Sequence, residues 1–305
     1  MKLGTLKNDT RDGALCVVSK DLKRGIIAYD VVPTLQAALD DWEFASPRLT
    51  EIYDALNRNA LDSRQFEIDF TQFLAPLPRV FGWLDGLGYP SHLERLRKPR
   101  EANSPDRSVG ELPNIRVGSP AFIGPFAPAI FAPEESGIDC EGKLGVITGD
   151  VPTGVKYDKA SGYIRLVALM SDFRLRDVVS TEGDGSLRAP INSAWTSFAP
   201  VAVTPDEFGD DWDSRKLKLP LMIQVNGNRL GRLNCGTDMA NNFPRLIAHA
   251  ARTHSLGAGT IIGSGTISNK DPSTGFACIA EQLKLRKKVN LPPPICERGT
   301  AYAWM

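Results

Sequence analysis

Residues 225–271 decide the fold and read VNGNRLGRLNCGTDMANNFPRLIAHAARTHSLGAGTIIGSGTISNKD. Asn226 and Gly227 lie between two β-rich runs, and this dipeptide strongly favours a tight hairpin turn. The segment FPRLIAHAA at 243–251 repeats its apolar residues at helical spacing, and GTII at 259–262 is rich in strand-forming residues. The stretch therefore predicts a hairpin, a helix and a further strand in close succession.

The rest of the chain divides by composition into three parts. Residues 1–84 contain short apolar runs followed by helical spacing over 34–42 and 48–57, which predicts two helices in a small mixed α/β domain. Residues 85–112 are rich in Pro, Arg and Lys, and we interpret them as a connecting segment with a short helix near His92. Residues 113–305 are mostly short β-rich runs separated by Gly and Pro, as in barrels and rolls. We therefore predict an α+β chain whose second domain is a mixed β-roll or barrel-like structure.

The composition is that of a soluble globular protein. The 305 residues include 36 basic and 36 acidic side chains, and 42% are hydrophobic. A balanced charge argues against a nucleic-acid surface, and no apolar run approaches the roughly 20 residues that span a bilayer. Five scattered cysteines lack the close pairing of a zinc site. We expect a cytoplasmic protein without nucleic-acid or membrane partners.

Three stretches resemble one known family. They are GIDCEGKLGVITGDVPTGV at 137–155, VALMSDFRLRDVV at 167–179, and the long stretch at 225–271. Together they are similar to the fumarylacetoacetate hydrolase superfamily, in its bacterial branch. The resemblance implies a mixed β-roll catalytic domain, a homodimer, and a divalent cation, Mg²⁺ or Ca²⁺. It also implies cleavage of a C–C bond in a β-diketo or 2-oxo acid.

Such chemistry needs an electron sink, which a hard cation bound by carboxylates can supply. Two residues that are two positions apart on a strand point to the same face and can reach one ion. By the resemblance, Glu141 and Asp172 match metal ligands, whereas Lys143 stands at a second glutamate position and Ala121 at another acidic one.

Two interpretations of this divergent site follow. Glu141 and Asp172 could bind Mg²⁺, Ca²⁺ or Mn²⁺ weakly, with water completing the ion's shell. Alternatively, the Lys143 ammonium could pair with both acids and occupy the space of the missing ion. We favour the alternative without a cofactor.

The resemblance also assigns a catalytic glutamate, which corresponds to Glu281 in CIAEQ. In the family this glutamate pairs with a histidine that follows the segment around residue 121. None of the three histidines of this chain lies there, so the resemblance supplies no partner for Glu281. The histidines are His92, His249 and His254.

Further residues are candidates for binding the substrate. Arg176 and Thr266 match positions that bind a substrate oxygen, although an arginine in this short Asp-rich segment could equally be an ion-pair partner of Asp172 or Asp177. Ser193 stands at the position of the family's catalytic lysine, and Trp195 would fill the vacated volume. Glycine at position 263, beside the Thr266 loop, lets a backbone approach a ligand closely.

These observations leave two classes of function. The first is an enzyme acting on an oxo-acid or diketo compound through an enolate, with Lys143 and Arg176 as sources of positive field. Its reaction would be C–C hydrolysis or a metal-independent relative such as decarboxylation, isomerisation or cyclisation. The second is an inactive homologue that is retained as a binding or regulatory homodimer. We favour the enzyme. A Glu281 that is exposed or locked to an arginine would favour the inactive homologue.

Overall fold

A computed structural model describes residues 1–58, 60, 63–96, 113–129, 137–177 and 193–288. Within these residues, fourteen strands form one sheet of twelve and one of two. The strands are β1 Lys2–Leu6, β2 Ala14–Val18, β3 Arg24–Ile27, β4 Phe66–Glu67, β5 Gly82–Gly86, β6 Ile115–Val117, β7 Phe122–Ile123, β8 Ile138–Thr148, β9 Ile164–Leu175, β10 Ser193–Phe198, β11 Val201–Val203, β12 Pro220–Val225, β13 Asn228–Asn234 and β14 Thr260–Gly263.

Six α-helices lie among these strands in the described ranges. They are α1 Leu35–Asp40, α2 Trp42–Asn57, α3 Pro90–Leu96, α4 Tyr157–Ala160, α5 Phe243–Ala250 and α6 Ile279–Lys288. Short 3₁₀ helices occupy Phe70–Gln72, Ser161–Tyr163, Pro205–Asp211 and Pro272–Thr274. No helix in the described part of the chain is long and apolar enough to cross a membrane.

The large sheet joins the N-terminal strands to the rest of the chain. Its order is β4-β3-β2-β1-β11-β9-β8-β14-β5-β6, with β10 paired to β9 and β7. Most neighbours are antiparallel, but β5 runs parallel to β14 and β7 runs parallel to β10. The mixed α+β class that the sequence predicted is confirmed.

The hairpin and helix predicted within the deciding stretch form as expected. Asn226 and Gly227 connect β12 to β13 and have φ values of 51° and 74°. Positive φ at both central residues is what the tight hairpin turn requires. The helix α5 begins after Asn242, whose side chain accepts a hydrogen bond from the backbone N–H of Arg245.

The boundary between the first two helices was predicted wrongly. A helix over 34–42 and a second one starting at Arg48 were expected, but α1 ends at Asp40 and α2 begins at Trp42. Asp41 separates the two helices and accepts a hydrogen bond from the backbone N–H of Phe44, so it caps α2 and the helix begins six residues earlier than expected.

Two large apolar cores and one small cluster, of Cys16, Val18 and Phe73, lie on the large sheet in the described residues. One is formed by α1 and α2 packed on β1 to β3, with Leu3, Leu49 and Leu56 fully buried. The other lies under the β12–β13 hairpin and α5, and includes Leu233 and Leu246. This second core supports β8 and β14, which position the site described below.

The hairpin provides a test of this second core. Leu233 is completely buried, whereas Met222 on the paired strand is 40% exposed. Replacing Leu233 by Ala leaves a cavity, and we expect it to lower the free energy of unfolding by about 2–5 kcal/mol. Met222→Ala is the matched control and should leave stability nearly unchanged. Urea denaturation measures both, and equal effects of the two variants would contradict this packing.

Candidate active site

The longest strand pair of the sheet concentrates charge on one of its faces. β8 and β9 are antiparallel, and Glu141 lies directly opposite Asp172 in their register. Because side chains alternate between faces, every second residue of each strand shares this face. Its charged members are Asp139, Glu141 and Lys143 from β8, and Asp172 and Arg174 from β9.

These side chains and their ion-pair partners form a charge cluster, and Lys143 lies at its centre. Its Nζ atom is 2.7 Å from Asp85 Oδ2, 2.8 Å from Glu141 Oε2 and 2.7 Å from Asp172 Oδ2. All four side chains are completely buried. Like charges opposite each other destabilise a strand pair, so the ammonium offsets the repulsion between Glu141 and Asp172. The structure thus places Lys143 between these acids, as one of the two interpretations expected.

The third carboxylate, Asp85, was not identified from the sequence. It lies on β5, at the point where the connecting segment was predicted to begin, and β14 separates β5 from β8. Gly263 of β14 pairs with Asp85, and a Cβ atom there would lie 2.8 Å from Asp85 Oδ1. Glycine therefore leaves the space through which the Asp85 carboxylate reaches Lys143. Its predicted role, close approach to a ligand, stays a prediction.

Arginines complete the surroundings of the three carboxylates. Arg174 Nε is 3.0 Å from Asp172 Oδ2, and its NH2 atom is 3.5 Å from Asp85 Oδ2. Arg116, on the edge strand β6, places NH2 3.0 Å from the same Asp85 oxygen. Asp85 Oδ1 accepts a hydrogen bond from the backbone N–H of Gly265 at 3.2 Å.

These neighbours decide the protonation of the buried groups. Burial alone would raise the pKa of Glu141, but attraction by Lys143 and the surrounding arginines holds it well below its ordinary value. The pKa of Asp85 is lowered in the same way, against the opposing effect of burial. Burial alone would lower the pKa of Lys143, but its three carboxylates raise it. Glu141, Asp85 and Lys143 are therefore ionised at neutral pH.

Arg176 joins the cluster to α6. Its NH2 atom is 2.7 Å from Asp139 Oδ2 and also contacts Glu141, and its side chain is 32% exposed. Asp139 Oδ1 in turn accepts hydrogen bonds from the backbone N–H groups of Ile279 (2.7 Å) and Ala280 (3.2 Å). One carboxylate thus ties β8 to the first turn of the helix that carries Glu281. The described acidic partners of Arg176 are Asp139 and Glu141, whereas the sequence suggested Asp172 or Asp177.

Glu281 has a histidine partner that the sequence analysis did not supply. His92 Nδ1 lies 2.6 Å from Glu281 Oε1, and both side chains are buried, at 6% and 0% exposure. The resemblance supplied no histidine partner for Glu281, but the packing of α3 against α6 brings His92 to it. Glu281 Oε2 is 2.8 Å from Arg95 NH1, so the same carboxylate is also held by an arginine. Arg95 additionally donates to Ser268 Oγ at 3.2 Å.

The remaining candidates lie around the cluster. Thr266 is buried, and its hydroxyl is one of few buried side-chain groups in the described ranges without a hydrogen-bond partner. Its neighbours bond to Asp85 and, from Ile267 N–H, to the carbonyl of Gly142 at 3.1 Å. The backbone of Ser193, on β10, lies opposite Arg174. The side chain of Ser193 lies outside the described part of the structure.

Trp195 also lies on β10 and packs against the second core. Thr196, its neighbour, donates a hydrogen bond from Oγ1 to Asp172 Oδ1 at 3.1 Å. β10 therefore contributes to holding the Asp172 carboxylate in place.

Two groups of side chains in the described ranges could hold a metal ion. They are Asp85, Glu141 and Asp172, and separately His92, Cys278 and Glu281, with ligand atoms within 4.8 Å of one another in each group. The first group does not fit a divalent cation in this arrangement, since the Lys143 ammonium lies against all three of its carboxylates. In the second group, the cation of Arg95 already contacts Glu281.

Removing the central ammonium should cost much stability. Lys143→Met leaves three carboxylates buried without it, and breaking a buried ion pair in this way costs about 3–5 kcal/mol. Lys159→Met, at a side chain that is 76% exposed, is the matched control and should be neutral. Chemical denaturation gives both values. A Lys143→Met variant as stable as the control would show that the cluster contributes nothing.

The lowered carboxyl pKa values predict acid sensitivity. Glu141 and Asp85 have lower pKa values in the folded chain than the ordinary 4.5 and 3.8. Their contribution is complete above those values and is lost as the pH falls through the folded-state pKa values. Asp139 acts in the opposite direction, because burial raises its pKa. We expect the free energy of unfolding to fall steadily below about pH 4.5, with a smaller slope for Glu141→Gln in urea titrations. Equal slopes would contradict the assignment.

Comparison with known proteins agrees with the fold. The chain is similar in structure to a putative HpcE protein from Mycobacterium smegmatis, with 20% identity, a TM-score of 0.67, and coverage of 92% of this chain and 89% of the other. It is also similar to maleylpyruvate hydrolase from Sphingobium sp. SYK-6 in complex with manganese(II) ion and pyruvate, with 19% identity, a TM-score of 0.63, and coverage of 88% and 89%.

A third similar structure is a probable 2-hydroxyhepta-2,4-diene-1,7-dioate isomerase from Mycobacterium abscessus. It has 17% identity and a TM-score of 0.64, with coverage of 98% of this chain and 91% of the other. No curated protein matches the chain. At these identities the structural likeness shows the fold.

The family assignment comes from the sequence as a whole. Residues 1–79 match the fumarylacetoacetase N-terminal domain 2, and residues 82–290 match the fumarylacetoacetate (FAA) hydrolase C-terminal domain. The second match alone covers more than half of the chain. The protein therefore belongs to the fumarylacetoacetate hydrolase family.

Proposed function

We propose that this protein is an enzyme acting on a 2-oxo or β-diketo acid through an enolate. The reaction class is C–C bond hydrolysis or a related decarboxylation, isomerisation or cyclisation. Hydrolase and isomerase names among the similar structures support this range of chemistry. The observation that carries the proposal is the buried contact between His92 Nδ1 and Glu281 Oε1.

His92 is the proposed base. When its Nδ1–H donates to the Glu281 carboxylate, the lone pair of the ring lies on Nε2. Nε2 can then accept a proton from a substrate carbon beside a carbonyl group, or from an attacking water. The electron pair of the broken C–H bond moves to the carbonyl oxygen and forms the enolate. Glu281 keeps the ring in the required orientation and balances its positive charge after proton transfer.

The charge cluster provides the proposed environment for the developing oxyanion. Arg176 has a partly exposed guanidinium group, and the unpartnered Thr266 hydroxyl can donate one hydrogen bond. The Arg176 guanidinium contacts the Glu141 carboxylate of β8, and the backbone N–H of Ile267, next to Thr266, donates to the carbonyl of Gly142. Three carboxylates enclose the Lys143 ammonium. Its proposed contribution is therefore to the electrostatic field at the developing oxyanion, rather than a direct contact with the substrate. Ser193 and Trp195 stay proposed substrate neighbours.

A matched set of histidine variants tests the base. His92→Gln should lower kcat on the best substrate among acylpyruvates and β-diketo acids by about 10²- to 10⁴-fold. Glu281→Gln should lower it as well, because the ring loses its charged partner. The control is His254→Gln, which changes an exposed histidine and should leave kcat unchanged. Stopped-flow absorbance of the enolate and urea denaturation separate a chemical effect from unfolding.

Equal rates in wild type and His92→Gln would remove His92 from the reaction.

One specific observation favours the alternative function, an inactive homologue that binds a ligand or regulates a partner. Arg95 locks the second oxygen of Glu281, which was the arrangement expected of that alternative. It predicts no turnover of any tested acid by the wild type. Equilibrium dialysis with pyruvate would then show whether ligand binding persists.

The oligomeric state and the cellular location of the protein are also proposals. We propose a homodimer, which light scattering of the purified chain tests directly. We also propose a cytoplasmic location. The four cysteines that the structure describes are buried free thiols, which is compatible with a reducing compartment.

A further inference from the structure

We infer that the ammonium group of Lys143 is the resident cation of this site, and that the protein binds no divalent metal ion there. The role of this ammonium in a reaction rests on the proposed function. The absence of a bound divalent ion is inferred from the arrangement of the charged side chains alone.

The position of the ammonium is the first argument. The three carboxylates of Asp85, Glu141 and Asp172 offer oxygens that lie within 4.8 Å of one another, as the ligands of one ion would. Nζ lies 2.7–2.8 Å from an oxygen of each. These are ordinary lengths for charge-assisted hydrogen bonds. The ammonium donates hydrogen bonds to Asp85 Oδ2 and Asp172 Oδ2, and its contact with Glu141 Oε2 is an ion pair.

The charge balance is the second argument. Within the described part of the chain, the cluster contains four acids and four cationic side chains linked by ion pairs. The acids are Asp85, Asp139, Glu141 and Asp172, and the cations are Arg116, Lys143, Arg174 and Arg176. The formal charges of these described members balance. A divalent ion would leave two uncompensated positive charges, mostly among buried groups, which is unfavourable.

The origin of the third acid is the last argument. A lysine on β8 supplies a cation but removes a possible carboxylate at that position. Asp85 supplies a carboxylate from β5, and its access depends on the missing side chain of Gly263. Lys143 has no exposed surface through which it could turn towards solvent. The ammonium and the Asp85 carboxylate therefore form one unit that takes the place of an ion and its protein ligand.

Mn²⁺ binding to the wild-type protein is the first test. Purified full-length chain is titrated with MnCl₂ in a calorimeter, with and without pyruvate, and its thermal midpoint is compared in EDTA and in MnCl₂. We expect no saturable one-to-one binding and no shift of the midpoint. Saturable binding that Asp172→Asn abolishes, or a midpoint that EDTA lowers, overturns the inference.

The variant Lys143→Glu is the second test. It removes the ammonium and adds a carboxylate to the three already present, so Mn²⁺ affinity should rise by at least about 100-fold over wild type. Lys159→Glu adds the same charge at an exposed site and should not change binding. A variant that folds only when Mn²⁺ is added also supports the inference, because binding then stabilises the folded state.

A folded Lys143→Glu variant that gains no affinity contradicts the inference. If the variant does not fold under any condition, the wild-type titration decides the matter. These readouts do not depend on turnover. An inactive wild type that binds no Mn²⁺ would remove the proposed function and leave this inference intact, whereas an active one that binds Mn²⁺ would do the reverse.

Discussion

The ammonium of Lys143 holds together three carboxylates that the fold forces into proximity. Glu141 and Asp172 face each other because of the β8–β9 register, and Asp85 reaches them over Gly263. Without a cation, three buried negative charges would lie within a few ångströms of one another. The sheet can keep this arrangement because the counter-charge belongs to the same chain.

The cluster and the histidine–glutamate pair form one continuous structure. Asp139 is bound by Arg176 on one side and by the first N–H groups of α6 on the other. The same helix carries Glu281, and the backbone of Cys278 pairs with that of Glu141. The orientation of the proposed base therefore depends on the strand that supplies Lys143.

Much of this architecture could be predicted from local sequence. The turn at Asn226 and Gly227 has a conformation that few other residues adopt easily, so the dipeptide identified the hairpin. Lys143 and Glu141 are two positions apart on one strand, so the pleat alone placed them on a common face. Such inferences succeed because the interacting residues are neighbours in the chain or follow one period.

Asp85 and His92 could not be found in this way. Both lie at the border of a segment without clean periodicity, and each meets its partners across a large sequence separation: 58 residues from Asp85 to Lys143 and 189 from His92 to Glu281. Only the parallel pairing of β5 with β14, and the packing of α3 against α6, bring them to the site. One signal was present, a lone acid in the strand-like run GWLDG that opens the second family match.

The alternation of charge along β8 has a consequence for how the chain folds. If β8 slipped by one residue against β9, its three charged side chains would turn to the opposite face, which carries Cys140 and Phe173. Those charged side chains would then be buried among apolar side chains, without groups of opposite charge beside them. The cost of burying these charges without partners therefore excludes the shifted pairing of β8 with β9. The residues that build the site thus also fix the register of the two strands.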